Sequence, residues 1–93
     1  MKISILIPVF NEEKTVSQVL EQVRAVDLSP LEKEVVVVND GSTDGSKEIL
    51  DREAQRGDIV LVHHPANQGK GAAVRTAMAH ATGDIFLIQD ADL

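Results

Sequence analysis

At 93 residues the chain has room for one small domain, which at this size buries only about two-thirds of the surface its unfolded form exposes. A net charge of −6, no basic cluster longer than two residues, and Phe10 and Phe86 as the only aromatics argue against partners made of nucleic acid. No cysteine is present, which excludes disulfides and thiolate metal sites, and the longest apolar runs fall far short of the ~20 residues a membrane helix needs.

Lys2 precedes the apolar run Ile3-Ser4-Ile5-Leu6-Ile7, but Pro8 and Asn11-Glu12-Glu13 end that run too soon for a secretory signal. A cytoplasmic chain is expected, with the face of a membrane as a further option for a longer protein. Ile3 to Val9 is apolar at nearly every position, the pattern of a central strand covered on both faces. Pro8 cannot donate a ladder hydrogen bond, so the strand is expected to stop there. Asn11 is then the expected N-cap of a helix carrying Glu12 and Glu13 in its first turn and running to about Val26. Its apolar stripe is Val16, Val19, Leu20, Val23 and Val26, one face at helical period.

Val35 to Val38 reads as a second buried strand ending at Asn39-Asp40-Gly41-Ser42. Ser42, Thr43 and Asp44 offer N-caps for a helix that carries Ile49, Leu50 and Ala54, and Gly57 closes it. Ile59 to Val62 is a third strand, running out at His63-His64-Pro65. The loop Ala66 to Gly71 opens a third helix over Ala72 to Ala81, with Val74, Ala77, Met78 and Ala81 inward. Gly83 ends it, and Asp84 leads into a fourth strand, Ile85 to Ile88. The order βαβαβαβ with short loops predicts an α/β domain over residues 1–93: a parallel twisted sheet flanked by helices, with right-handed crossovers.

In such a sheet ligands bind beyond the carboxyl ends of the strands, near the point where strand order reverses. Each strand here ends in a polar or glycine-bearing segment: Phe10 to Glu12, Asn39 to Ser42, Gln68 to Gly71, and Gln89 to Asp92. Side chains two apart in a strand point the same way, so Asp90 and Asp92 emerge together. Two close carboxylates repel unless a cation sits between them, and a hard divalent ion such as Mg²⁺ or Mn²⁺ suits oxygen donors. Taken alone, a bare Asp-x-Asp is more often a solvated turn, Asn11-Glu12-Glu13 a helix cap, and Lys70 or Arg75 an ordinary surface charge. His63 and His64 lack a further metal-ligating residue at useful spacing and are given no functional role. What singles these segments out is their joint placement on one rim. Gly69-Lys70 is followed by Gly71 rather than Ser or Thr, and no glycine precedes Gly41, so neither a Walker loop nor a dinucleotide fingerprint fits.

Four segments, in this order, carry a resemblance: Ile5 to Glu13, Val37 to Gly45, Asn67 to Gly71, and Asp90-Ala91-Asp92. Together they resemble the N-terminal half of a GT-A-fold glycosyltransferase of the inverting family 2. The branch most similar is that of the dolichyl-phosphate and polyprenyl-phosphate mannosyl- and glucosyltransferases. The resemblance covers the whole chain and implies a Rossmann-like nucleotide-binding fold. It also implies a donor, a UDP- or GDP-linked sugar, and a polyprenyl phosphate or glycan acceptor.

By the same resemblance Pro8 and Phe10 line the base pocket, Phe10 packing on the nucleotide ring. Glu12 lies by the nucleoside, and Asp40, with Val38 beside it, accepts hydrogen bonds from the base. Lys70 approaches the diphosphate, with Arg75 a weaker candidate. Asp90 and Asp92 form a catalytic, metal-binding DxD motif in which Asp92 binds Mg²⁺ or Mn²⁺, Asp90 contacts ribose or sugar and, through water, the metal, and the Ala91 backbone lies close by. The family's acceptor segments follow that motif, so a donor-binding portion with little transferase activity of its own is expected. The last strand is expected to be bare along one edge, which invites association with a second copy. A non-catalytic α/β module that self-associates is the alternative. A receiver-like phosphotransfer domain fits less well, since His63-His64-Pro65 stands where its phosphoacceptor aspartate belongs.

Overall fold

The computed structural model describes residues 1–93 as four parallel strands and three helices. Strands β1 (Lys2–Val9), β2 (Glu32–Asp40), β3 (Val60–His64) and β4 (Ile85–Ile88) alternate with helices α1 (Val16–Ala25), α2 (Ser46–Ala54) and α3 (Lys70–His80). The sheet order is β3-β2-β1-β4, so the chain builds outward from β1 on one side and then crosses to the other side of β1 for β4. That reversal puts the switch point between β1 and β4, where a crevice forms at the carboxyl ends. No helix is long and apolar enough to cross a membrane.

The alternation of strand side chains divides the core in two. Ile3, Ile5, Ile7 and Val9 of β1, with Val35 and Val37 of β2, face α1 and α2. Leu6, Val36 and Val38 face α3, where they meet Ala73 and Ala77. Isolated helices of ten residues are marginal in water, so packing must hold α1. Val16, Val19, Leu20 and Val23 are buried along it, and burial of each contributes roughly 1.5–3 kcal/mol. At its other end the Lys33 ammonium donates to the carbonyls of Val23, Arg24 and Val26, the charge that a helix C-terminus favours.

Several details depart from the sequence reading: His63 and His64 lie within β3 rather than after it, α3 begins at Lys70 rather than Ala72, and three further differences concern α1 and the inward face of α3. The first helix begins at Val16, not beside Asn11, because Asn11 takes a left-handed conformation (φ 53°) and turns its side chain to the second loop. Its carboxamide oxygen accepts from the amide of Thr43 (2.8 Å), which ties the β1–α1 and β2–α2 connections together. The helix also stops at Ala25, and Val26, extended and half exposed, leaves the apolar stripe; Leu28 and Leu31 pack on the core instead. In α3 the inward residues are Ala73 and Ala77, whereas Met78 is 46% exposed. Small side chains let that helix lie close on β1 and β2, and Met78, one residue round from Ala77, points away from the sheet.

Strand β4 pairs only with β1, and Ile85, Phe86, Leu87 and Ile88 are all exposed. Its outer edge is open, as the sequence led one to expect.

Candidate functional site: a cavity at the switch point

A cavity of about 520 Å³ opens at the carboxyl ends of the strands. All four strand ends contribute: Pro8 and Val9 of β1 with Phe10 and Glu12 after it, Asp40 from β2, Asn67, Gly69 and Lys70 after β3, and Asp90, Ala91 and Asp92 after β4. Its size suits a ligand of a few tens of heavy atoms. Of the residues given a role by the resemblance, Val38 and the weaker candidate Arg75 do not reach it; for Val38 the reason is strand direction. Its side chain is fully buried on the α3 face of the sheet with Leu6 and Val36, because strand alternation turns it into the core.

The acidic end is built around Ala91. Ala91 is only 3% exposed and belongs to the core cluster on the α1 and α2 face of the sheet, and the flanking Asp90 and Asp92 line the cavity. The Lys70 ammonium, from the first turn of α3, donates to Asp90 Oδ1 at 2.6 Å. Asp90, with Asp92 further off, holds that ammonium above the usual lysine range. Two outward carboxylates are hard oxygen donors, and no group of three metal-ligating side chains surrounds them. That donor set fits a cation such as Mg²⁺, which keeps several of its positions for water and ligand phosphate.

The opposite wall is organised by Asp40, in a way the sequence did not reveal. Its Oδ1 accepts from His64 Nδ1 (2.9 Å) and the Gln68 amide (2.9 Å). Its Oδ2 accepts from the Gly69 amide (3.0 Å) and from Asn67 Nδ2 (3.2 Å). A carboxylate has about four lone-pair sites, so the protein's own donors fill them. Burial pushes this carboxyl up, but the bonds from His64 and the two amides outweigh it and hold the group below the usual aspartate range. Asp40 therefore anchors the loop that leads into Lys70.

The two histidines belong to this scaffold. Cross-strand register sets His63 beside Asn39 and His64 beside Asp40. Alternation then sends the pairs to opposite faces. His64, donating from Nδ1 to Asp40, also has its Nε2 in a hydrogen bond with the Thr76 hydroxyl of α3 (2.8 Å). His63 accepts at Nδ1 from Asn39 (2.9 Å) and donates from Nε2 to Asp51 of α2 (2.7 Å). The hydrogen-bond chain Asp40–His64–Thr76 has the connectivity of a hydrolase triad, but its hydroxyl lies on α3 beneath the loop and the cavity lining does not include it. Adjacent histidines after an apolar run were a visible signal; which partners they meet depends on register, which is not.

The chain matches the family model described as "Glycosyl transferase family 2" over residues 4–93. The chain belongs to glycosyl transferase family 2. A dolichyl-phosphate beta-glucosyltransferase of Trichomonas vaginalis is 37% identical to this family 2 chain, covering 97% of it and 30% of the relative. The crystal structure of S. aureus TarS 1-349 in complex with UDP-GlcNAc superposes with a TM-score of 0.86 at 31% identity, covering 99% of this chain and 27% of that one. The mannosyltransferase PcManGT of Pyrobaculum calidifontis, in complex with GDP-Man and Mn²⁺, gives a TM-score of 0.83 at 35% identity, over 97% of this chain and 27% of that one. These likenesses bear out the GT-A, Rossmann-like reading of the sheet. The family 2 chain spans less than a third of the length of these relatives.

Proposed function

We propose that this chain is the donor-binding portion of an inverting, metal-dependent glycosyltransferase that moves a hexose from a nucleoside-diphosphate sugar to a polyprenyl phosphate or glycan. The observation carrying this reading is the convergence of Asp90, Asp92 and Lys70 with the Pro8–Phe10 wall in one cavity at the switch point. Relatives support the substrate class: one is named for dolichyl phosphate, and the two solved neighbours hold UDP-GlcNAc, or GDP-Man with Mn²⁺.

In this reading Pro8 and the 44% exposed Phe10 offer an apolar surface to the base, and Glu12 lies by the nucleoside. Asp40 serves the base end by holding the Asn67–Gly69 wall, since its carboxylate is already occupied by internal donors. Asp92 and Asp90 hold Mg²⁺ or Mn²⁺, which when bound neutralises charge on the diphosphate. Lys70 leaves Asp90 for the diphosphate, placing a second positive charge where negative charge develops. In the transfer, the bond between the anomeric carbon and the diphosphate oxygen breaks and its electron pair leaves with the phosphate. An acceptor oxygen forms the new bond from the opposite side, which inverts the carbon. A polyprenyl phosphate is already an anion, so its attack releases no proton.

Calorimetric titration of the chain with UDP and with GDP, each with Mn²⁺ or with chelator, tests this reading. One of the two nucleotides is expected to bind about 10-fold more tightly with Mn²⁺, and Asp92→Ala is expected to remove that difference. Equal affinity in chelator and in Mn²⁺ for both nucleotides would sink the metal-dependent reading. The open edge of β4 is the feature that favours the alternative, a non-catalytic module that self-associates; that reading expects neither nucleotide to bind.

A further inference from the structure

Thr15 stands at the N-cap position of α1, where a threonine hydroxyl ordinarily accepts a hydrogen bond from the first turn of its own helix. Here it makes no such bond. The hydroxyl instead donates to the carbonyl of Ala91, 2.7 Å away and 76 residues distant in the chain. Glu12 Oε2 lies at 3.3 Å, but a hydroxyl has a single proton, and the shorter, better contact takes it. A helix start that forgoes its side-chain cap gives up about 0.5–2 kcal/mol. Departures from a local rule of this kind concentrate where function requires them.

The place of that bond matters more than its strength. Strand β4 ends at Ile88, and the Gln89 amide makes the last backbone tie to β1, at Leu6. Beyond it, the Thr15 hydroxyl gives the one hydrogen bond from another element to the backbone of Asp90-Ala91-Asp92. The Ala91 side chain is pinned in the core and its carbonyl is pinned by Thr15, so both backbone and side chain of the middle residue are fixed. The carboxylates on either side inherit their direction from that fixed residue. The chain Thr15–Ala91 thus links the first turn of α1, which follows the base-facing segment Pro8 to Glu12, to the acidic end of the cavity.

We infer that Thr15 is a positioning residue for the Asp90/Asp92 pair, holding the two carboxylates in the geometry that couples a divalent cation to the nucleoside diphosphate. This rests on the donor-binding reading above. Thr15 touches neither ligand nor cation; it acts through the Ala91 carbonyl.

The test compares wild type with Thr15→Val, Thr15→Ala and Thr15→Ser, using UDP and GDP as probes in Mn²⁺ and in chelator, with thermal melts alongside. Valine keeps the shape and loses the donor, alanine removes both, and serine keeps the hydroxyl. Valine and alanine are expected to cut the Mn²⁺ enhancement about 10-fold, to near nothing, while affinity in chelator stays within about 2-fold. Serine is expected to retain the enhancement within about 3-fold. Any folded variant without the hydroxyl that keeps the wild-type enhancement overturns the inference. So does one that loses affinity equally in Mn²⁺ and chelator, because that is the mark of a merely structural role. If wild type itself shows no enhancement, the donor-binding reading fails first and this inference falls with it, a result distinct from either variant outcome.

Discussion

Asp40→Ala is expected to lower the unfolding free energy by about 3–5 kcal/mol, because it leaves several buried donors without a partner. The side chain is only 3% exposed, so solvent cannot replace what is lost. Three donors, on His64, Gln68 and Gly69, would be left without their acceptor, and Asn67 would keep only the backbone carbonyl of residue 40. Each buried unpaired group costs about 1–3 kcal/mol, and the total stays below their sum because the loop can move toward water. On a domain of this length the melting midpoint should fall by roughly 12 °C or more. Asp40→Asn, which keeps one oxygen and the volume, should fall between the two. The loop that Asp40 holds also carries Lys70 into the cavity, so nucleotide affinity should weaken even at temperatures where the variant remains folded.

The same prediction has a pH signature with a definite sign. In the folded chain Asp40 titrates below the ordinary aspartate value, despite burial, because His64 and the loop amides favour the charged form. A depressed folded value means the stabilisation is complete above the unfolded value, about 3.9, and is lost as pH falls through the lower folded one. The stability gap between wild type and Asp40→Ala should therefore narrow below about pH 4. Chemical denaturation across that range checks it. A gap already small at neutral pH, or one that widens on acidification, would show that the four bonds do not favour the carboxylate.

The strands and their shared rim were legible because the signals are local. Apolar runs of four to seven residues, broken by Pro8, Asn39 and His63, mark strands whatever the tertiary context. Asp90 and Asp92 were read together from the two-residue strand period; the strand stops at Ile88, and both reach the cavity lining as neighbours of the buried Ala91. What could not be read depends on partners far along the chain. Asn11 is a good N-cap by type, yet its carboxamide serves the Thr43 amide. Thr15 is a good N-cap by type and position, yet its hydroxyl serves Ala91. In α3 the alanines and methionine differ little in apolar pattern, and the sheet selected Ala73 and Ala77 for their size. Asp40 was legible as a cavity residue but not as an internally bonded one, because the count of its partners follows from the β2–β3 register.

Gly41→Ala is expected to cost about 2–5 kcal/mol and to impair the cavity directly. The residue follows Asp40 at the end of β2 and turns the chain with φ +67°, a region that costs an L-residue about 1–2 kcal/mol. Conformation is the smaller part. A Cβ at Gly41 would stand 2.3 Å from both the carbonyl carbon of Ala66 and the amide nitrogen of Asn67, which are backbone atoms with no rotamer to change. The loop would have to retreat, at roughly 1–3 kcal/mol for overpacking. Its retreat also pulls Asn67 from the Asp40 carbonyl and carboxylate, so the two neighbouring positions fail through one loop. Gly57 supplies the control: it has a similar φ of +78°, but a Cβ there meets nothing within 4 Å. Gly57→Ala should lose only the conformational part, about 1–2 kcal/mol, and leave nucleotide affinity unchanged. Urea denaturation and nucleotide titration of both variants separate the contributions. Equal losses of stability at the two positions, with affinity intact in both, would mean that the close approach of the two loops does not shape the site.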